Sequence, residues 1–453
     1  MSAHPLLKLV ILGGGGFRVP LVYEAVARGA AAGGARIGEV VLHDASAERL
    51  AVMSRVLGDL AAEIPGAPRV TCHTDMRTAL RGADFVFAAV RVGGTAGRIA
   101  DERVALRLGL LGQETIGPGG LAYALRTIPV MREAARVIAE VAPDAWTINF
   151  TNPAGIVTQA MREFLGDSVV GICDTPIGLV RRAARLLGVA AEDVDYDYVG
   201  LNHLGWLRAL RVDGRDLLPG LLASDELLAG IEEARIVGPD LVRALGALPN
   251  EYLFYYWLTD EAIAHIAAAG ETRGEYLARQ QAAFYDGAGE VGSALASWRA
   301  ALHEREATYM AEAREEGEQR EEADVEGGGY QEVAVRLMTA LATGTRERMI
   351  LNVGNTDRIV EGLPEDAVVE VGCVVDGDGV HAVPVAQPEL WQLGMMARLR
   401  GSEQLIARAA ATGDPEAAWL GFALHPLVDS PSLGRALLDG YRAAHPEIDR
   451  LLR

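Results

Sequence analysis

Short apolar runs alternate with helical patterns through the first 150 residues, four consecutive glycines follow the first run, and the pattern loosens beyond about residue 200. These three observations predict an α/β fold. An N-terminal Rossmann-like, doubly wound parallel sheet occupies residues 1–200, and a C-terminal α+β, largely helical domain occupies 201–453. Residues 7–12 read as a buried strand, 19–28 as the helix after the glycine turn, 39–43 as a strand ending at Asp44, and 47–64 as a long helix. A third strand is expected at 85–90. The stretch 91–120, rich in glycine and charge, reads as a functional loop holding a short helix. Residues 126–141 read as a helix and 146–150 as a strand; 156–164, 169–172, 176–187 and 196–201 continue the alternation. Beyond it, 207–212 before Asp213-Gly214, and 368–375 with 380–384, read as hairpins. The glutamate-rich stretch 304–326 reads as a solvated helix running into a glycine loop at 327–329.

The 453 residues are enough chain for two to three domains with a large core. With 42 basic and 62 acidic residues, the net charge is −20. Such a surface repels a phosphodiester backbone and argues against nucleic acid as a partner, while local arginines leave small anions open. Cys72, Cys173 and Cys373 are too few and too scattered for a disulfide framework, which points to a reducing, cytoplasmic setting. No apolar run approaches the ~18–20 residues of a membrane span, and glycines interrupt the N-terminal run too early for a signal peptide.

Gly13, Gly14, Gly15 and Gly16, with Phe17 after them, sit where a strand hands over to a helix. There a dinucleotide pyrophosphate meets close backbone and the unpaired N–H groups of a helix start. The third glycine of the usual fingerprint is out of register, so the run alone is equally a tight turn. Asp44, at the end of the second strand, is placed to accept hydrogen bonds from an adenosine ribose; its structural alternative is a helix cap. Together they predict NAD or a relative.

Asn152, in Asn149-Phe150-Thr151-Asn152-Pro153, follows a strand at the edge where ligands of open α/β sheets bind, or else forms an ordinary Asn-Pro turn. Cys173-Asp174 and Asn202-His203 also follow strands. Two ends of one parallel sheet would bring Cys173 and His203 to the same face, where they could share a metal; the alternative is a buried thiol and a hydrogen-bonded imidazole. Asp174 is an acid–base candidate or a cap for the next helix. Tyr252, Tyr255 and Tyr256 cluster in an aromatic run that is either core or, beside a cation, a source of a base. Arg91, Arg98, Arg126 and Arg273 are candidates for gripping an anionic group, each with a surface residue as its alternative.

The blocks LVILGGGG, VRVGGTAGR, GQETIGPGG, NFTNPAG, GICDTP and YVGLNHLGW occur here in this order. The chain thereby resembles the NAD- and divalent-metal-dependent family-four glycoside hydrolases, nearest to their 6-phospho-β-glucosidases. The resemblance runs over residues 7–210 and resumes through 272–276 and 363–371. It implies an NAD-binding first domain and a catalytic and oligomerisation domain after it. It also implies hydrolysis of a phosphorylated glucoside or disaccharide through oxidation at C3, elimination at C1, water addition and re-reduction, outside the two-carboxylate scheme. On this resemblance Cys173 and His203 bind the metal, expected to be Mn2+. Asp174 assists the leaving group, Tyr252 is the base with Tyr255 or Tyr256 as alternates, and Asn152 holds sugar hydroxyls. Arg98 and Arg273 grip phosphate with Arg91 beside them, and the assembly is a homodimer or homotetramer. The competing readings are an NAD-dependent hydroxy-acid or sugar dehydrogenase on the same scaffold, and an NAD-bound sensor without turnover.

Overall fold

The computed structural model describes residues 6–287, 293–308 and 329–453. Among these, thirteen strands form one sheet. They are β1 (Leu7–Leu12), β2 (Ile37–His43), β3 (Arg69–His73), β4 (Phe85–Ala88), β5 (Trp146–Asn149), β6 (Val169–Gly171) and β7 (Asp195–Leu201), then β8 (Leu204–Val212), β9 (Arg215–Asp216), β10 (Leu248–Pro249), β11 (Glu347–Gly354), β12 (Val368–Asp376) and β13 (Gly379–Ala382). The order β3-β2-β1-β4-β5-β6 is parallel throughout. That is the doubly wound order whose crevice takes a dinucleotide. Beyond β6 the sheet continues through β11, β12, β7, β8 and β10, every one of these pairs antiparallel.

The antiparallel half corrects one expectation. Residues 196–201 do not continue the parallel alternation: β7 runs opposite to β6. The two strands nevertheless end in the same row, because Gly171, Asn352, Glu370 and Gly200 are neighbours across β6, β11, β12 and β7. Chain segments approaching from opposite ends therefore deliver Cys173 and His203 to one place.

Around the parallel half lie α1 (Val19–Ala31), α2 (Ala47–Glu63), α3 (Met76–Leu80), α4 (Gly94–Arg107), α5 (Gly117–Val141), α6 (Ala154–Leu165) and α7 (Thr175–Leu186). α2 shows why these segments are helical. Leu50, Met53, Leu57 and Leu60 recur on one buried face, and Ser46 Oγ accepts from Arg49 N at 3.2 Å to cap its start. The expected loop at 91–120 is instead mostly helix, because α4 runs for 14 residues. The glutamate-rich stretch begins inside the helix Ala294–Ala307, which drives Leu295 and Trp298 into the core; its remainder, from 309 to 326, lies outside the described residues.

Alternate residues of β1 serve opposite faces of the sheet. Leu9 and Ile11 pack with Val22, Leu57 and Leu337, whereas Val10 and Leu12 pack with Ile128, Phe422 and Tyr441. Helices from the C-terminal end of the chain thus cover one face of the N-terminal strands. Among the described residues, no helix is long and apolar enough to cross a membrane.

Candidate active site

The glycine turn is built for close approach. Gly13 has φ +84, and a Cβ there would lie 2.4 Å from the Ala89 carbonyl oxygen. Gly14 donates its N–H to His43 O at 2.7 Å, tying the turn to β2. Asp44 Oδ2 accepts from Gly15 N and Oδ1 from Ser46 N, both at 3.0 Å. Since Ser46 caps α2, Asp44 is not spent on that role. Gly13, Gly15, Gly16, Phe17 and Asp44 line a cavity of about 210 Å³, onto which the first residues of α1 open. The turn presents backbone without side chains at the mouth of this cavity, which lets a pyrophosphate approach closely. The residues present fit a dinucleotide.

A second cavity, of about 490 Å³, holds Asn152, Cys173, Asp174, His203 and Tyr252 in its wall. Arg18, Arg91, Phe150, Asn152, Arg305 and Tyr330 line both cavities, which therefore form one cleft.

His203 occupies the two-residue turn between β7 and β8 with φ 64 and is 6% exposed. Burial lowers its imidazole to a pKa of about 3, so the ring is neutral at neutral pH, with Nδ1 3.3 Å from Thr115 Oγ1. Cys173 is also buried. Burial first, then the charges of Glu370 and Asp174, push its thiol well up. A thiolate here therefore calls for a cation beside it. Asn152 Oδ1 is buried without a hydrogen-bond partner. A thiol and a neutral imidazole fit a borderline divalent cation that takes its other ligands from substrate or water, and the unpartnered Asn152 oxygen beside them suits a hydroxyl donor of that substrate. Among the described residues, no group of three or more His, Cys, Asp or Glu could hold an ion by itself.

Of the three tyrosines, only Tyr252 lines the large cavity; Tyr255 is core at 1% exposure, and Tyr256 faces a separate small cavity. The Tyr252 ring stacks on His203, with centroids 3.7 Å apart and planes within 11°. Its backbone N–H is held by Asn250 Oδ1 at 3.1 Å. Asp174 precedes α7 at the capping position, yet its side chain caps nothing, which leaves the carboxylate for the cavity.

The arginines divide. Arg91 and Arg98 both pair with Glu114, at 2.5 and 2.8 Å, and Arg98 also with Glu102 at 2.7 Å. The two arginines hold the Glu114 carboxyl down at a pKa of about 2, against the opposing effect of its burial. Arg126 is locked to Asp101 and His445 at 2.6 and 3.2 Å and lines neither large cavity. Arg273 also lines neither: it donates to Arg305 O at 3.0 Å and Thr308 Oγ1 at 2.7 Å, and so braces its neighbour.

Three residues escape sequence reasoning. Arg305 lines both cavities, and burial, then the charges of Arg18, Arg273 and Arg98, hold its guanidinium below the usual range against the opposing pull of Glu306. Such crowding of cations is relieved by an incoming anion. Glu114 sits between two arginines in the wall. Glu370 is 1% exposed at the centre of the row that joins β6 to β7, and burial raises its carboxyl to a pKa of about 7. A single acid inside the apolar run 368–375 is the signal that marks it.

Comparison with known proteins accords with this geometry. The sequence model of family 4 glycosyl hydrolase matches residues 8–189, and that of the family 4 glycosyl hydrolase C-terminal domain matches residues 198–428. A Bacillus subtilis (strain 168) protein named "Probable 6-phospho-beta-glucosidase" is 31% identical over 97% of this chain and 96% of its own. A 6-phospho-alpha-glucosidase of Leptotrichia buccalis is 30% identical over 92% of this chain and 93% of its own. A crystal structure of a 6-phospho-alpha-glucosidase from gut microorganisms, in complex with NAD and Mn2+, superposes with TM-score 0.80 and 26% identity, covering 97% of this chain and 98% of the other. Both halves of the sequence and the whole sheet thus point the same way: the chain belongs to glycosyl hydrolase family 4.

Proposed function

We propose that this protein hydrolyses 6-phosphoglucosides of β configuration, using NAD and a divalent cation, Mn2+ by preference. The observation that carries the reading is the single cleft. It joins the glycine turn and Asp44 at one end to Cys173, Asp174, His203 and Tyr252 at the other, with Arg305 between them.

When bound, the dinucleotide supplies reversible oxidation of a sugar carbon, and the cation polarises the resulting carbonyl and acidifies the neighbouring C–H. Asn152 holds sugar hydroxyls over the end of β5. Tyr252, fixed by its stack on His203, accepts the C2 proton. Asp174 donates to the leaving-group oxygen as the C1–O bond breaks. Arg305, braced by Arg273, receives the sugar phosphate at the junction of the two cavities. Arg91 and Arg98, already matched by Glu114 and Glu102, shape the wall rather than hold the anion alone.

Relatives of both anomeric types match along the chain, so the decisive assay carries both anomers. The expected result is release of nitrophenol from p-nitrophenyl β-glucoside 6-phosphate, not from its α anomer, and only with NAD+ and Mn2+ both present. On a phosphorylated glucoside without the nitrophenyl group no NADH accumulates, because the cofactor is regenerated each turnover. Release without NAD+ would sink the mechanism, and steady NADH build-up would make the protein a dehydrogenase. Arg305→Gln is expected to raise KM for the phosphorylated substrate about tenfold to hundredfold, the worth of a charge-assisted hydrogen bond. A weakened NAD+ affinity with unchanged KM would instead assign Arg305 to the dinucleotide pyrophosphate.

A further inference from the structure

Glu370 lies in β12 with its side chain fully enclosed. Its Oε1 accepts from Asn352 Nδ2 at 2.8 Å and from Asn202 Nδ2 at 3.3 Å, and its Oε2 accepts from Tyr198 OH at 3.2 Å. All three donors are neutral, and among the described residues no cationic side chain pairs with it. A buried carboxylate in that state is costly unless a positive charge stands near.

The partners connect this group to the chemistry. Asn202 precedes His203 in the turn between β7 and β8. Asn352 is the cross-strand neighbour of Gly171, two residues before Cys173, and a Cβ on Gly171 would lie 2.9 Å from the Asn352 Cβ. Tyr198 OH accepts from Asn250 Nδ2 at 3.3 Å, and Asn250 holds Tyr252 N at 3.1 Å. A continuous set of hydrogen bonds therefore runs from one carboxylate toward His203, the Cys173 segment and Tyr252.

We infer that Glu370 is the positioning residue of the cation site: its buried carboxylate fixes the segments that carry Cys173, His203 and Tyr252, and supplies the negative charge that a bound divalent cation neutralises. The inference rests on the reading of Cys173 and His203 as the cation's ligands. Glu370 touches neither substrate nor ion; it acts through Asn202, Asn352 and Tyr198. The carboxylate also explains how a site with one thiolate and one neutral imidazole retains a doubly charged ion, since its charge balances the excess from within the sheet.

Glu370→Gln tests this, because the amide keeps the shape and an acceptor for the two asparagines while removing the charge. Wild type and variant are titrated with Co2+, read by the thiolate-to-cobalt absorption band, and with Mn2+, read by the magnetic resonance of the free ion. NAD+ affinity and the melting temperature of the metal-free protein are measured alongside. The expected result is cation binding weakened about tenfold to hundredfold, with NAD+ affinity unchanged and the metal-free melting temperature no lower than in wild type, since the uncompensated buried charge is gone. Asn202→Ala, which cuts the link to the His203 turn, should weaken cation binding in the same direction. Unaltered cation affinity in Glu370→Gln would overturn the inference, and so would a loss that tracks a fall in metal-free stability and NAD+ affinity. Absence of the cobalt band in wild type would instead overturn the ligand assignment beneath it.

Discussion

Tyr252→Phe is expected to lower kcat by about 10²–10⁴-fold, while leaving Mn2+ and NAD+ affinities and the substrate KM as they are. The phenylalanine ring keeps the stack on His203, whose centroid lies 3.7 Å away, and the loop stays held through the backbone N–H of residue 252. Only the phenolic oxygen is lost. If that oxygen removes the C2 proton, its loss acts on the chemical step and not on binding. Exchange of the C2 hydrogen with deuterated water, followed by nuclear magnetic resonance, should disappear with it. A variant with full kcat would take the base away from Tyr252, and a parallel loss of Mn2+ affinity would mean that the phenol serves the cation instead.

Gly13→Ala carries the largest expected effect at the other end of the cleft. At φ +84 an alanine is strained by about 1–2 kcal/mol. Its methyl, 2.4 Å from the Ala89 carbonyl oxygen, would force β1 and β4 apart at their C-terminal ends. Overpacking of this kind costs a further ~1–3 kcal/mol. The expected sum, about 2–5 kcal/mol, should appear as a lowered melting temperature together with loss of NAD+ binding. An unshifted melt with native NAD+ affinity would show that the turn has more room than its geometry implies.

The parts of this fold that obey a simple period were legible in advance. β1 falls on residues 7–12 as read, because a buried parallel strand is a continuous apolar run. β3 escapes the period for the opposite reason: Arg69–His73 lies at the sheet edge with none of its residues buried, and its sequence carries no apolar run. α4 reads as no more than a short helix within a loop because its buried side includes Arg98, Asp101 and Glu102, so charge masks the amphipathic pattern. In the site, Asn152, Cys173, Asp174, His203 and Tyr252 were named from motifs, and the structure brings all five to one cavity. The route was misread, since antiparallel pairing through β11 and β12 joins strands whose relative direction the local sequence does not encode. Arg305 was hidden because it stands in an acidic run that resembles a solvated surface. Its environment comes from Arg18, Arg98 and Arg273, all distant along the chain.

Phe422, Leu437, Tyr441 and Ile448 share a core with Val10, Leu12 and Ile128. The last fifty residues are therefore structural material of the nucleotide half, although they are the farthest from it in order of synthesis. A nascent chain released before that tail emerges would hold its first strands half-clothed, with one oily side awaiting its cover.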